Sequence, residues 1–202
     1  MRHETVRGVC IPVPESYADC IRLADSDYYR WFGKTSGSIL RLWIARWRNP
    51  ALGFMFYYRL CSRRGLLYPY FRLRLEKYIR KYGLQIPLAA RVGYGLYLGH
   101  GIGVVVNSTA VIGSNVNLSQ FSTIGSLRGN AGTIEDEAYL GPSVSLVEDV
   151  RVGRRSMVGA GAVVTRDVPA GASAAGVPAK VLNESSDYIP ANLYPIPAQV
   201  CK

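Results

Sequence analysis

The sequence predicts a mainly β chain: a parallel β-helix of about four coils preceded by an α-helical extension. Three observations carry this. Large aliphatic residues recur every sixth position at Ile134, Leu140, Leu146, Val152, Val158 and Val164. A smaller or branched residue follows each by four places, at Ala138, Val144, Val150, Ser156, Ala162 and Val168. Upstream of residue 84 this spacing is absent, and helix starts and stops appear instead. A helix repeats at 3.6 residues and an ordinary strand at 2, so neither accounts for a period of six. A chain wound into a triangular prism does: each face is a short strand and each corner a tight turn. Aliphatic side chains point inward and form a packed column as parallel rungs stack. Gly141, Gly153 and Gly159 each follow an inward residue and suit corners that need a positive φ.

Taken in order, residues 1–13 show no clear period and are expected to form an irregular arm. Pro14-Glu15-Ser16 opens a helix that runs to about Phe32 and stops at Gly33. The turn Thr35-Ser36-Gly37-Ser38 caps a second helix, with Leu40, Trp43, Ile44 and Trp47 along one face and a break at Asn49-Pro50. A third helix is predicted from about Ala51 to Ser62, and a fourth from about Tyr70 to Tyr82, ending near Gly83. The prism follows. Its earlier inward positions are Val92, Leu98, Val106, Ile112, Leu118 and Ile124. Two residues are extra between Leu98 and Val106, and a longer interruption runs from Ser126 to Gly132; both read as loops bulging from corners. The tail holds Pro190, Pro195 and Pro197 and is expected to be an extended strap or disordered. The division is therefore a helical region at 1–83, the β-helix at 84–182 and a tail at 183–202.

The 202 residues suffice for one domain plus an extension, and 49% hydrophobic content allows a real core. The net charge of +10 favours an anionic partner. Met1-Arg2-His3-Glu4 leads into no apolar signal core, so a cytoplasmic location is expected. No apolar run reaches the ~18 residues of a membrane span. Cys10, Cys20, Cys61 and Cys201 lack metal-site spacing, and reduced thiols are expected. Residues 41–91 carry twelve Arg and Lys against Glu76 alone, with aromatic residues interleaved. Such a layer can pack its apolar face on the prism and solvate its arginines. It can also sit peripherally on the inner face of the cytoplasmic membrane through 41–82. No recognised nucleic-acid module accompanies the charge, and nucleic acid is not expected.

Three stretches carry a family resemblance: Gly95-Leu96-Tyr97-Leu98-Gly99-His100-Gly101 followed by Val104-Val105-Val106-Asn107; Gly159-Ala160-Gly161-Ala162-Val163-Val164-Thr165; and Ala175-Gly176-Val177-Pro178-Ala179-Lys180. Over residues 84–182 the chain resembles the left-handed β-helix, hexapeptide-repeat acyltransferases, in the branch of serine acetyltransferase and its polysaccharide-modifying relatives. The left hand comes from the resemblance alone, because the usual crossover rule favours the opposite hand. The resemblance implies acetyl-CoA as acyl donor, a homotrimer with active sites between subunits, and no metal. It makes His100 the general base, taking a proton from an acceptor hydroxyl that attacks the thioester directly. A backbone N–H near that corner would stabilise the oxyanion. Pro142, Ala160, Thr165, Arg166 and Lys180 match the cofactor-binding positions, the two cations facing the nucleotide phosphates.

For the acceptor the chain departs from serine acetyltransferase proper. Gln85, Gly99 and Ala131 stand where the resemblance leads one to expect an aspartate, a second aspartate and a second histidine. A sugar hydroxyl in surface-polysaccharide biosynthesis is therefore the first expectation, with L-serine the alternative and a small sugar, an antibiotic or an amino-sugar nitrogen behind them. A non-catalytic scaffold is the reading from a different class. A zinc hydratase on this fold needs several prism histidines, and His100 is the only one.

Overall fold

The structure is a computed structural model, and it describes residues 1–186 and 188–197. The chain opens with an antiparallel hairpin, β1 (Arg2–Val6) and β2 (Val9–Val13), where an irregular arm was expected. Its two-residue turn, Arg7-Gly8, has φ of 48° and 78°. Positive φ at both positions matches the twist of the flanking strands. The turn is not announced by an Asn or Asp, which is why periodicity alone misses it. Val9 and Ile11 pack on Val111 of the prism.

Four helices follow: α1 (Tyr17–Phe32), α2 (Ile39–Arg48), α3 (Pro50–Cys61) and α4 (Tyr68–Tyr82). Their boundaries are written in local chemistry. Ser16 Oγ accepts from the Asp19 N–H and the Asp19 carboxylate accepts from the Ser16 N–H, a reciprocal cap. Gly33 and Gly83 close α1 and α4 at φ of 67° and 66°. Ser38 caps α2, and Asn49 with Pro50 starts α3. The helix α3 is buried from Ala51 to Cys61, so it is the hub on which the other helices pack. The buried side of α2 is Leu42, Ala45 and Arg46; Leu40, Trp43, Ile44 and Trp47 face outward. Cys20 and Cys61 are buried free thiols pushed up to about 11 by burial. Cys10 is disulfide-bonded, which departs from the expectation of reduced thiols; Cys201 lies outside the described residues.

The remainder is a parallel β-solenoid of about four turns. One face stacks β3 (Arg91–Val92), β6 (Val111–Ile112), β9 (Thr133–Ile134) and β12 (Arg151–Val152). The second stacks β4 (Tyr97–Leu98), β7 (Asn117–Leu118), β10 (Tyr139–Leu140), β13 (Met157–Val158) and β15 (Ser173–Ala175). The third stacks β5 (Val105–Val106), β8 (Thr123–Gly125), β11 (Ser145–Val147) and β14 (Val163–Val164). The register pairs the inward residues assigned from spacing, for example Leu98, Leu118, Leu140 and Val158 in one row. All twelve inward positions from Val92 to Val164 are buried. The last strand, β16 (Lys180–Asn183), turns back antiparallel on β15.

The helical layer is pinned to the first coil by buried polar groups. Arg59 donates to both Asp27 carboxylate oxygens, at 2.8 and 2.9 Å, and to the carbonyls of Val92 and Gly93. Asp27 also accepts from the Leu96 N–H, and Ser26 Oγ from the Gly95 N–H. Burial lowers the Arg59 pKa, but Asp27 outweighs it and holds the guanidinium above its ordinary value. Arg30 adds bonds to the Gly95 carbonyl and the Asn117 side chain. The tail runs back as a strap over the second face: Tyr188 Oη accepts from Asn117, Tyr194 exchanges bonds with Asn115, and its ring stacks on Tyr94. The tail was expected as an extended strap or a disordered end; residue 187 and the last five residues lie outside the described ones.

Candidate active site

The site is built at the corner between β4 and β5. In later coils this corner places its left-handed residue three positions after the inward one, at Phe121, Ser143 and Gly161. The two extra residues of the first coil change that. Here φ turns positive one residue earlier, at His100 (61°), then again at Gly101 (57°) and Gly103 (67°). A left-handed histidine is uncommon but more tolerated than a branched residue. Gly101 is required by close approach: a Cβ there would lie 2.6 Å from the Ala51 nitrogen. The bulged corner therefore abuts the first turn of α3.

His100 is exposed and lines a cavity of about 460 Å³. Trp31 and Tyr97 form one wall, their ring centroids 4.4 Å apart. Arg48, Asn49 and Pro50, at the elbow between α2 and α3, form a second. Ser119, Gln120, Tyr139 and Pro142 complete it from the next two coils. Burial raises the Tyr97 pKa, with Arg30 opposing, so its hydroxyl stays protonated at neutral pH. No group among the described residues hydrogen-bonds the His100 imidazole. His3 pairs with the Tyr94 hydroxyl at 2.8 Å in the hairpin, and burial pushes its pKa down. It is a packing residue, remote from His100.

The register sorts the proposed donor-binding residues. Two places after Leu98, Leu118, Leu140 and Val158 stand His100, Gln120, Pro142 and Ala160, one above another along a single edge. Rungs in such a stack lie ~4.8 Å apart, so the column extends from the histidine in even steps. Pro142 is half-buried in the cavity wall, and Ala160 is exposed. Thr165 and Arg166 lie elsewhere, beyond β14 at the far side of the third face, and both are exposed. Lys180 begins β16; the Ala179 N–H bonds to the Val163 carbonyl, which brings the closing loop onto that same face in the last coil. Neither Arg166 nor Lys180 is in an ion pair among the described residues. A pair of residues at one edge and a cation cluster across one face is the arrangement that emerges, rather than one contiguous set of five.

Of the three departures, Gly99 lines the cavity, Gln85 is exposed and pairs its backbone with Val104 and Val106, and Ala131 is fully buried on another corner. Trp31, Arg48, Asn49, Tyr97, Ser119, Gln120 and Tyr139 were not foreseen as site residues. Gln120 was available from the spacing, since it repeats the His100 position one coil on. Trp31 and Arg48 were not, because no periodicity fixes how a helix docks on a prism. Among the described residues no group of three or more His, Cys, Asp and Glu side chains could hold a metal ion.

Comparison with known proteins gives a consistent answer. No family model matches the chain. It is 40% identical to serine acetyltransferase 4 of Arabidopsis thaliana over 105 residues, which is 50% of this chain and 30% of that one. It is 32% identical to the serine acetyltransferase of Bacillus subtilis over 126 residues, 59% of this chain and 58% of the relative. The chain thus spans less than two thirds of the curated relatives it matches. Among solved structures, the Neisseria gonorrhoeae serine acetyltransferase in complex with serine superposes with a TM-score of 0.64 at 27% identity, covering 81% of this chain and 69% of that one. The Vibrio cholerae serine acetyltransferase superposes at 0.70 and 22% identity, covering 87% and 69%, a likeness of fold.

The stacked prism is the fold that the chain shares with the solved serine acetyltransferase, and with the histidine corner it fits the hexapeptide-repeat acyltransferases. Over half or a little more of its own length the chain is similar in sequence to serine acetyltransferases.

Proposed function

We propose that the protein is an acetyl-CoA-dependent O-acetyltransferase that passes the acetyl group directly to a small hydroxyl acceptor, with L-serine the acceptor its relatives favour. The observation that carries this is His100, presented on a left-handed bulge at the head of the outward column of Gln120, Pro142 and Ala160, in a cavity wide enough for a compact acceptor. The neutral imidazole takes the proton of the acceptor hydroxyl as its oxygen attacks the thioester carbonyl. A backbone N–H of the same corner receives the oxyanion. As the carbon–sulfur bond breaks, the imidazolium returns its proton to the leaving thiolate, and the base is regenerated.

The residues fit the donor. Pro142 and Ala160 keep the edge shallow, and a Cβ at Gly161 would meet nothing within 4 Å, so an extended arm can lie against the coils. Thr165 lies across the third face from that edge, and Arg166 and Lys180, in no ion pair among the described residues, are available to phosphates. Val105, Phe121 and Val147 expose apolar surface on the adjoining face, which fits a second copy packing there and closing the groove in a trimer.

On the sequence alone a polysaccharide sugar ranks first. The relatives do not support that ranking, and it is reversed here. One observation keeps a sugar hydroxyl as the second reading. The cavity offers Trp31, Tyr97 and Tyr139 as ring surfaces, while glycine stands at the position nearest His100 where a carboxylate was expected. The deciding experiment follows free thiol release from acetyl-CoA with L-serine and with a panel of hexoses and N-acetylhexosamines. Turnover with L-serine, lost in His100→Ala, is expected. Turnover with a sugar and not with L-serine selects the second reading. Failure with every hydroxyl acceptor overturns both.

A further inference from the structure

We propose that the outer face of the helical layer seats the protein on an anionic lipid bilayer, with an acyl chain entering the cavity between α2 and α4. The inference does not depend on which acceptor is acetylated. The cavity measures about 510 Å³, and Tyr17, Ile39, Leu40, Trp43, Phe56 and Leu67 contribute to its walls. On these walls and at nearby positions in the chain the fold leaves large apolar side chains uncovered, an apolar comb. Leu40 is 61% exposed, Trp47 69% and Leu66 96%. Apolar surface gathered in one patch of this kind marks an interaction site. Side chains cap α1, α2 and α3 at their N-termini, and α3 is buried throughout, so the layer has its own core apart from the comb.

Charge selects the occupant. From residue 41 to 82 the only carboxylate is Glu76, and it is engaged with Arg72 at 3.1 Å and Arg80 at 3.7 Å. The same helices and the link between α3 and α4 expose Arg41, Arg48, Arg63, Arg64 and Lys77. A second copy packed face to face on this surface would set cations against cations, because a two-fold contact presents the same patch twice. An anionic bilayer satisfies both features, apolar side chains entering the acyl boundary and arginines meeting the headgroups. No helix among the described residues is long and apolar enough to cross a membrane, so the contact lies in the plane of the interface. Trp43 and Trp47 are 6.3 Å apart on this comb, and Arg46 lies between them and α3, 4.2 Å over the Trp43 ring and bonded to the Tyr57 hydroxyl. Buried charge thus props two interfacial rings outward. The same helix ends in Arg48 and the Asn49-Pro50 elbow, which wall the His100 cavity. Seating α2 therefore places the active site at the headgroup level.

The test is sedimentation of the full chain with phosphatidylcholine vesicles, with and without a quarter phosphatidylglycerol. Tryptophan emission with brominated acyl chains reports depth. Binding that requires phosphatidylglycerol, with quenching, is expected. Arg63→Gln with Arg64→Gln should weaken it about 30-fold at low salt. Leu40→Ser with Trp47→Ser should weaken it at least as much while circular dichroism is unchanged, since both positions are exposed. Equal sedimentation with neutral and anionic vesicles overturns the proposal. So does binding untouched by the two apolar changes. If those changes instead reduce the size of the protein in solution and leave vesicle binding alone, a second copy covers the face and the bilayer reading is wrong.

Discussion

His100 differs from its column mates Gln120, Pro142 and Ala160 in backbone as well as in side chain. Its left-handed φ comes from the two extra residues of the first coil. Chemistry and conformation can therefore be separated. Asparagine tolerates the left-handed region and cannot act as base at neutral pH, so His100→Asn should keep the corner and cut kcat by about 10²–10⁴. Acetyl-CoA affinity, read by calorimetry, should stay within a factor of a few. If His100→Asn keeps full turnover, the imidazole is not the base. Residue by residue, the site was only partly legible. A break in a strict period pointed to His100, because an irregularity in a repeat is visible in one sequence. Trp31 and Arg48 reach the same cavity from helices whose docking the spacing does not encode.

At the level of elements, the corner and α3 form one joint. Gly101 sits against Ala51 with no room for a Cβ and at φ 57°. Gly101→Ala should cost about 1–3 kcal/mol and shift α3 off the corner, lowering both melting temperature and turnover. A variant with unchanged melting would show that the joint is loose. Gly53 makes the matching case within the layer, because a Cβ there would lie 2.4 Å from the Tyr78 ring; Gly53→Ala should loosen α4 and lower melting with little change in His100 chemistry. Helix ends were legible because Ser16, Gly33, Ser38, Asn49 and Gly83 act locally. The outward turn of α2 was not. Its stripe of Leu40, Trp43, Ile44 and Trp47 reads as a core-facing side, whereas α3 takes Leu42, Ala45 and Arg46 instead. A hydrophobic stripe states which side avoids water and not what covers it.

The whole molecule depends on a few buried polar contacts between helices and prism. Asp27→Asn leaves the Arg59 guanidinium without its charge partner in a site 2% exposed, and should cost about 3–5 kcal/mol, a fall of roughly 10 °C in Tm. Replacing both residues with apolar ones should recover part of that loss. Acid should loosen the fold by a separate route. Burial raises the Asp19 pKa, but the Glu15 N–H, the Met1 amino group, Ser16 and Arg22 lower it by more, to well below the ordinary value. Burial also raises Glu137, and Arg155 and Arg154 more than reverse it. A carboxylate lowered in the folded state stabilises it above the unfolded value, near ~4, and that contribution is lost as pH falls through the folded value. Tm should therefore hold from pH 7 to about 5 and drop below ~4, and the drop should shrink in Asp19→Asn. The periodic half of this architecture could be read almost to the residue, because one rule is applied in every coil. The hairpin, the strap and the interhelical contacts occur once each, and single events leave no period.

The reversal of β16 against β15 has a consequence for growth. A coil stack exposes at its end a rung shaped to accept another, so identical molecules could add head to tail without limit. Lys180–Asn183 occupies that edge in the opposite direction, and the next molecule finds a mismatched partner. The Ser173–Ala175 edge is thereby covered, and removing those four residues should bare it and raise self-association, read by light scattering.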